Sequence, residues 1–209
     1  MIYTTVTGNN SDLIESVCKL YVHPGDEIAD VTFGKGVFWR KVNLSKIKLV
    51  KSDVKTCPSA PYDFRHLPYE DSSFDHVILD PPYMHNAGRP MVDKRYGNST
   101  TTKGMYHRDI MQLYLQGMTE GRRILKVGGL LWVKCQDEIE SGYQRWSHIE
   151  IYEFARTLGL YGKDLFVLIP TSRTVVQRQQ QHARKSHSYL WLFAKPTESQ
   201  RKALKRYSL

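Results

Sequence analysis

The sequence predicts an α/β chain built on one doubly wound, mostly parallel sheet, and three observations predict it. Short apolar runs of strand length alternate with longer stretches that carry apolar residues at helical spacing. The first strand ends in a glycine loop and a later one in two consecutive prolines, the kind of turn that forms ligand sites at the carboxyl edge of such sheets. The 209 residues, 41% hydrophobic and 24% charged, suffice for one core and leave no room for a second large domain, so residues 1–209 are expected to form a single domain.

In chain order, Ser11 and Asp12 are placed to cap a helix running to Tyr21, with Leu13, Val17, Leu20 and Tyr21 as its apolar stripe and His23-Pro24-Gly25 as its stop. A strand follows at Asp26–Val31. Further strands are expected at Ile47–Val50, at Asp75–Asp80, and at Gly129–Val133 after the turn Lys126-Val127-Gly128-Gly129. Each is short and apolar, as parallel strands buried on both faces are. Ile110, Leu113, Tyr114 and Met118 line a helix over Arg108–Leu125, and Ile151, Ala155 and Leu158 a helix over Ser147–Leu158. Asp164–Ile169 and Ser188–Ala194 predict a long hairpin with a basic tip, and a short basic helix or frayed end closes the chain. Trp132, Trp191 and Phe193 fall on strands and are expected in the core.

The formal net charge of +9 favours a polyanionic partner, because Lys and Arg release condensed counterions when they meet phosphates. Cys18, Cys57 and Cys135 are odd in number and far apart, and the histidines show no ligand spacing, so neither a disulfide framework nor a metal site is expected. The opening residues lack a basic stretch followed by an apolar one, and no apolar run reaches the roughly 18 residues of a membrane span. These features predict a soluble, cytoplasmic protein.

Two segments carry candidate chemistry. In Asp30-Val31-Thr32-Phe33-Gly34-Lys35-Gly36 a strand end meets two glycines, which let the backbone turn tightly and a ligand approach. The dinucleotide fingerprint would place a third glycine where Trp39 stands, which disfavours NAD and FAD. Asp80-Pro81-Pro82-Tyr83 follows the strand that ends at Leu79: the prolines fix φ and offer rigid carbonyls, beside a carboxylate acceptor and an aromatic face. Together these suit an extruded base bearing an amino group.

The two segments resemble the amino-group DNA methyltransferases, whose cofactor loop reads D-x-x-x-G-x-G and whose catalytic motif is [DNS]-P-P-[YFW]; the match in element order covers roughly residues 11–196. The resemblance implies the class I methyltransferase fold, Rossmann-like, with a seven-stranded sheet ending in an antiparallel hairpin. It implies S-adenosylmethionine (AdoMet) as methyl donor, with Asp30, Thr32, Phe33, Gly34 and Gly36 around its methionine end. An acid after the second strand for the ribose hydroxyls matches Asp53, and a polar or acidic residue after the third for the cofactor's adenine matches Asp63. Only about ten residues separate Gly36 from the second strand, too few for the usual intervening helix.

An exocyclic amine delocalised into a purine is a poor nucleophile. Acceptance of its two hydrogens by the Asp80 carboxylate and the Pro81 carbonyl would favour a tetrahedral nitrogen aimed at the methyl group, with Tyr83 stacking on the flipped base. Aspartate in the first motif position links the resemblance mainly with adenine N6 in DNA; RNA adenine-N6 and guanine-N2 methyltransferases share the motif. A non-catalytic methyltransferase-like subunit and a small-molecule methyltransferase are the remaining rivals, the first disfavoured by the intact motif and the second by the charge.

Recognition is expected from two basic stretches. Residues 84–105 carry Arg89, Lys94, Arg95 and Lys103, with glycines that would let the stretch fold over substrate. Residues 173–187 carry Arg173, Arg178, Arg184 and Lys185 and no acid. No separate recognition domain fits in this length, and a homodimer would be one way to enlarge the footprint.

Overall fold

The computed structural model describes residues 1–83, 86–87, 103–104, 106–171 and 181–205. Its main sheet has seven strands: β1 (Thr5–Gly8), β2 (Glu27–Asp30), β3 (Lys48–Lys51), β4 (Phe74–Leu79), β5 (Leu125–Cys135), β6 (Tyr161–Pro170) and β7 (Ser188–Ala194). They lie in the order β1-β6-β7-β5-β4-β2-β3. Pairing is parallel throughout except where β7 runs antiparallel to both β5 and β6. The α/β sheet and its C-terminal antiparallel hairpin are those expected. The edge strand β1 is not: Thr-Val-Thr-Gly has one apolar residue, and it pairs Thr5 with Val167 across the whole length of the chain. No strand forms between β3 and β4, so the additional strand that the resemblance places just before Asp63 is absent.

Helices cover both faces. Helix α1 (Asn10–Tyr21) buries Leu13, Ile14 and Val17 on the face that also holds Ile28, Trp39, Ile78, Trp132 and Phe166. Its cap is Asn9 rather than Ser11 or Asp12: the Asn9 side chain accepts from the Ser11 and Asp12 amides while Asp12 reaches back to the Asn9 amide, a reciprocal capping box. Leu20 falls off the buried stripe and is 48% exposed. Helices α2 (His107–Ile124) and α3 (Ser147–Thr157) pack on the other face, against Val77, Leu79, Leu131 and Val133. Alternation of Val77, Ile78 and Leu79 between the two cores is the period-two pattern of a strand covered on both sides. Helix α2 lies close to β4 because Gly117 has no side chain: a Cβ there would stand 2.9 Å from Leu79 Cδ1 and Phe64 Cδ2. Trp132 and Phe193 are fully buried as expected, whereas Trp191 is half-buried and stacks between Tyr152 and Phe193. A terminal helix, α4, spans Glu198–Lys205.

Buried polar groups near the sheet find partners. Trp132 Nε1 donates to His76 Nδ1 at 3.3 Å, which leaves Nε2–H of this imidazole to donate to Asp26 Oδ2 at 3.1 Å. At the start of α2, His107 has Nδ1 2.8 Å from Glu138 and Nε2 2.9 Å from Glu150, so both ring nitrogens donate to carboxylates. Burial disfavours its charge, but the two carboxylates outweigh burial and raise its pKa. His107→Ala is expected to destabilise the fold by about 3 kcal/mol, since it removes a buried imidazole that bridges Glu138 and Glu150. A group whose pKa is raised on folding contributes most at low pH, so the wild-type excess over the variant shrinks as pH rises through that raised pKa. Urea melts of both proteins across this range check it.

Candidate functional site

Both candidate segments emerge at the carboxyl edge of adjacent parallel strands, β2 and β4. Three backbone bonds hold the glycine loop between its neighbours: Val31 N to Ile78 O, Ser52 N to Asp30 O and Phe33 N to Ser52 O. Gly34 and Gly36 both take positive φ, 54° and 65°, and a Cβ on Gly36 would lie 2.7 Å from Phe33 Cζ. The loop then passes into a single 3₁₀ turn, Val37–Lys41, and a second, Leu44–Lys46, in place of a helix between the first two central strands.

Asp30 is 2% exposed. Its Oδ2 accepts from Trp39 Nε1 at 2.7 Å and its Oδ1 from the Thr32 amide at 3.2 Å. Burial pushes its pKa up to about 7, against these two bonds and with the help of the nearby Asp80 and Asp53 charges. Asp53 accepts from the Gly34 amide at 3.1 Å and from the Lys55 and Thr56 amides at 2.8 Å. Burial opposes its ionisation, and those backbone donors hold its pKa below the ordinary carboxylate value. Asp53 is thus tied to the glycine loop.

The Asp80–Tyr83 segment is bonded to the same loop: the Asp80 amide donates to Thr32 Oγ1 at 2.7 Å. Burial raises the Asp80 carboxyl to about 6, opposed by the ammonium of Lys134. Its Oδ1 is shielded from solvent and has no hydrogen-bond partner. An acceptor left this way forfeits of order 1–3 kcal/mol, and among the described residues none supplies the missing donor. Pro81 is buried, and Tyr83 packs against the α2/α3 core with its ring 5.8 Å from Lys134 Nζ.

Beside Tyr83 lies a cavity of about 410 Å³, lined by Gln136, Asp137, Glu138, His182, Arg184 and Lys185 among others. Its size lies within the range of small-ligand sites. Asp137 is 3% exposed: Oδ1 accepts from His148 Nδ1 at 2.7 Å, and Oδ2 is shielded and unpartnered. His148 in turn stacks on Tyr189 with centroids 4.3 Å apart, which fixes the carboxylate's orientation.

The structure therefore brings Asp30, Thr32, Phe33, Gly34, Gly36, Asp53 and Asp80–Tyr83 to one edge, with Arg184 and Lys185 around the adjoining cavity. Lys185 Nζ sits 5.0 Å from the ring of Trp146. Asp63 is engaged elsewhere, gripping Arg65 through Nε and Nη2 at 2.5–3.0 Å in a local turn. Arg89, Lys94, Arg95, Arg173 and Arg178 lie outside the described residues, and for Lys103 only the backbone is described, in a two-residue parallel pairing of Asn86–Ala87 with Lys103–Gly104. Trp39, Lys134 and Asp137 escaped the reading of the sequence. Lys134 had a signal, a cation within the apolar run Leu130–Cys135; Trp39 had one too, an indole N–H that must find an acceptor when buried. Among the described residues no cluster of His, Cys, Asp and Glu could hold a metal ion, and no helix is long and apolar enough to cross a membrane.

No protein-family model matches the chain, and no curated protein matches it significantly. Solved structures do. A SAM-dependent methyltransferase of Methanosarcina mazei superposes with a TM-score of 0.51 at 13% identity, over 87% of this chain and 98% of its own. The 1,6-didemethyltoxoflavin-N1-methyltransferase of Burkholderia thailandensis superposes with a TM-score of 0.54 at 10% identity, over 90% and 79%. The [4+2]-cyclase SpnF does so with a TM-score of 0.55 at 17% identity, over 90% and 82%. A cyclase among them marks the limit of the likeness, which is one of architecture. On strand order, hairpin and these neighbours together, the chain has the Rossmann-like fold of the class I methyltransferases.

Proposed function

We propose that the protein is an AdoMet-dependent methyltransferase acting on an exocyclic amino group of a nucleic-acid base, adenine N6 in DNA first. The observation that carries this reading is the shielded, unpartnered oxygen of Asp80, bonded through its own amide to the glycine loop and flanked by Pro81, Pro82 and Tyr83. The loop fits the cofactor. Asp53 and Asp80 each lie near enough to Asp30 to act on it, a field that suits a sulfonium cation, and glycine at position 36 leaves room that a Cβ would fill.

Bound AdoMet would supply an electrophilic methyl group on a sulfonium, which leaves as the neutral thioether. The chain's own residues do the rest. Asp80 Oδ1 and the Pro81 carbonyl accept the two amino hydrogens and draw the nitrogen's lone pair out of conjugation; Tyr83 holds the base by stacking. The proton shed by the methylated nitrogen passes to the Asp80 carboxylate and on to solvent. Asp53 is the acceptor proposed for the cofactor's ribose, and Asp63, occupied by Arg65, is the weakest of the cofactor-binding set. Arg184 and Lys185, with the basic residues of 84–105 and 173–178, would meet phosphates.

An RNA substrate, at adenine N6 or guanine N2, is the second reading, and Asp137 favours it. Asp137 is among the residues lining the cavity next to Tyr83 and carries a shielded, unpartnered oxygen; a ribose 2′-hydroxyl or the N1–H of guanine entering there would bring a donor that deoxyadenosine lacks.

The test is transfer of labelled methyl from AdoMet to duplex DNA, single-stranded DNA and total RNA, with the product nucleoside identified by mass spectrometry. N6-methyladenine in DNA supports the first reading, label confined to RNA the second, and no label in any of them sinks both. The acid limb of kcat/KM is expected near pH 6. The carboxylate is a stronger acceptor than the carboxylic acid and is the form that can take up the proton shed by the amine, so activity falls, without vanishing at once, as pH drops through the Asp80 pKa of about 6. A pH–rate profile checks the limb.

A further inference from the structure

Lys134 is 1% exposed on β5, between β4 and β7. Burying an ammonium needs compensation. Among the described residues its Nζ donates to one neutral oxygen, Ser188 Oγ at 2.7 Å, and lies 5.8 Å from the Tyr83 ring, close enough for a cation–π contact. Neither neutralises it. The opposite charge comes from Asp80: Leu79 pairs with Val133 in the parallel β4–β5 ladder, so the next residues on each strand, Asp80 and Lys134, come level at the carboxyl edge. The two groups act on each other electrostatically yet form no direct salt bridge, and Asp80 Oδ1 stays without a partner.

We propose that Lys134 is a positioning residue that keeps the Asp80 carboxylate ionised through its field, while leaving the shielded oxygen open to the amino group of the substrate. The proposal rests on the reading of Asp80 given above. Among the described residues, the charged or titratable groups facing Asp80 are Asp30 from β2, a like charge, and Lys134 and Cys135 from β5; those facing Lys134 are Asp80, Cys135 and the ring of Tyr83, with Ser188 of β7 as its acceptor. Of these, Lys134 alone is a cation. A direct ion pair would also hold Asp80 charged, but it would occupy the oxygen that the amine needs. The separation seen here serves both demands.

The test reads Asp80 directly and then through catalysis. In protein carrying ¹³C at aspartate carboxyls, with the Asp80 signal assigned by its loss in Asp80→Asn, Lys134→Met is expected to raise the Asp80 titration midpoint by about one pH unit or more. Lys134→Arg keeps the charge and is expected to leave the midpoint near wild type. Should Lys134→Met fail to fold, Lys134→Gln, which can still donate to Ser188, takes its place. With methyl-labelled AdoMet and the nucleic acid that accepts label from wild type, the acid limb of kcat/KM should move up by the same interval in the neutral variant. An unmoved Asp80 midpoint, or an activity loss equal at every pH, overturns the proposal. A moved midpoint in a wild-type protein that methylates no nucleic acid supports the Lys134 effect and sinks the functional reading instead.

Discussion

Asp80→Ala is expected to lower methyl transfer by at least about a hundred-fold while AdoMet affinity stays within about two-fold, the pattern of a residue that acts in the transition state rather than in ground-state binding. The alanine removes the acceptor that draws the nitrogen lone pair out of the ring, and nothing else described at this edge can take its place, because Asp30 and Asp53 are both occupied by donors of the loop. Asp80→Asn is the informative companion. Its amide keeps a carbonyl acceptor but no longer titrates, so part of the rate should survive and the contribution of Asp80 to the acid limb should vanish. Single-turnover transfer and isothermal titration with AdoMet check both variants. A hundred-fold loss of AdoMet affinity in Asp80→Ala would move the residue from catalysis to cofactor binding.

Gly36→Ala is expected to weaken AdoMet binding about ten-fold or more, through two separate strains. A non-glycine residue in the left-handed region costs about 1–2 kcal/mol, and 1.4 kcal/mol is a factor of ten. In addition the new Cβ would stand 2.7 Å from the tip of the Phe33 ring, which must swing away from the loop it helps to shape. Gly34→Ala separates the two effects. It has a similar positive φ of 54°, but a Cβ there would meet nothing closer than Thr32 O at 3.8 Å, so it should show the backbone strain alone. Calorimetric titration with AdoMet checks the order: wild type tightest, Gly34→Ala weaker, Gly36→Ala weakest.

Much of the sheet was legible because its central strands are buried on both faces, and an apolar run such as Val77–Leu79 can do little else when a turn follows at once. The edge strand β1 was not legible. Only one side of it is covered, its residues alternate between exposed and half-buried, and what makes it a strand is pairing with residues about 160 positions away rather than anything local. At the start of α1, Ser11 and Asp12 are good capping types, but Asn9 precedes them and takes the cap while Asp12 serves as the reciprocal third residue. At the proposed site, Asp30, Gly36 and Asp80 can be named from the sequence because they stand in contiguous motifs. Asp63 was chosen by its place in the series of elements, and the Arg65 two residues on, which engages it, was the overlooked local signal. Lys134 and Asp137 belong to no motif. Each acquires its role from what adjacent strands bring level with it, which no window along the chain contains.

The bond from the Asp80 amide to Thr32 Oγ1 makes the two loops mechanically one object. A ligand that stiffens the glycine loop removes freedom from the catalytic loop at the same stroke, so a second ligand arriving there has less left to freeze. Thermodynamic reciprocity fixes the rest: by whatever factor a bound cofactor tightens the grip on the acceptor base, the base tightens the grip on the cofactor, and a spent cofactor that has lost its positive charge passes on a different factor. On the function proposed above, the two ligand sites are coupled through this one hydroxyl, and the free energy they share changes when the methyl group has moved.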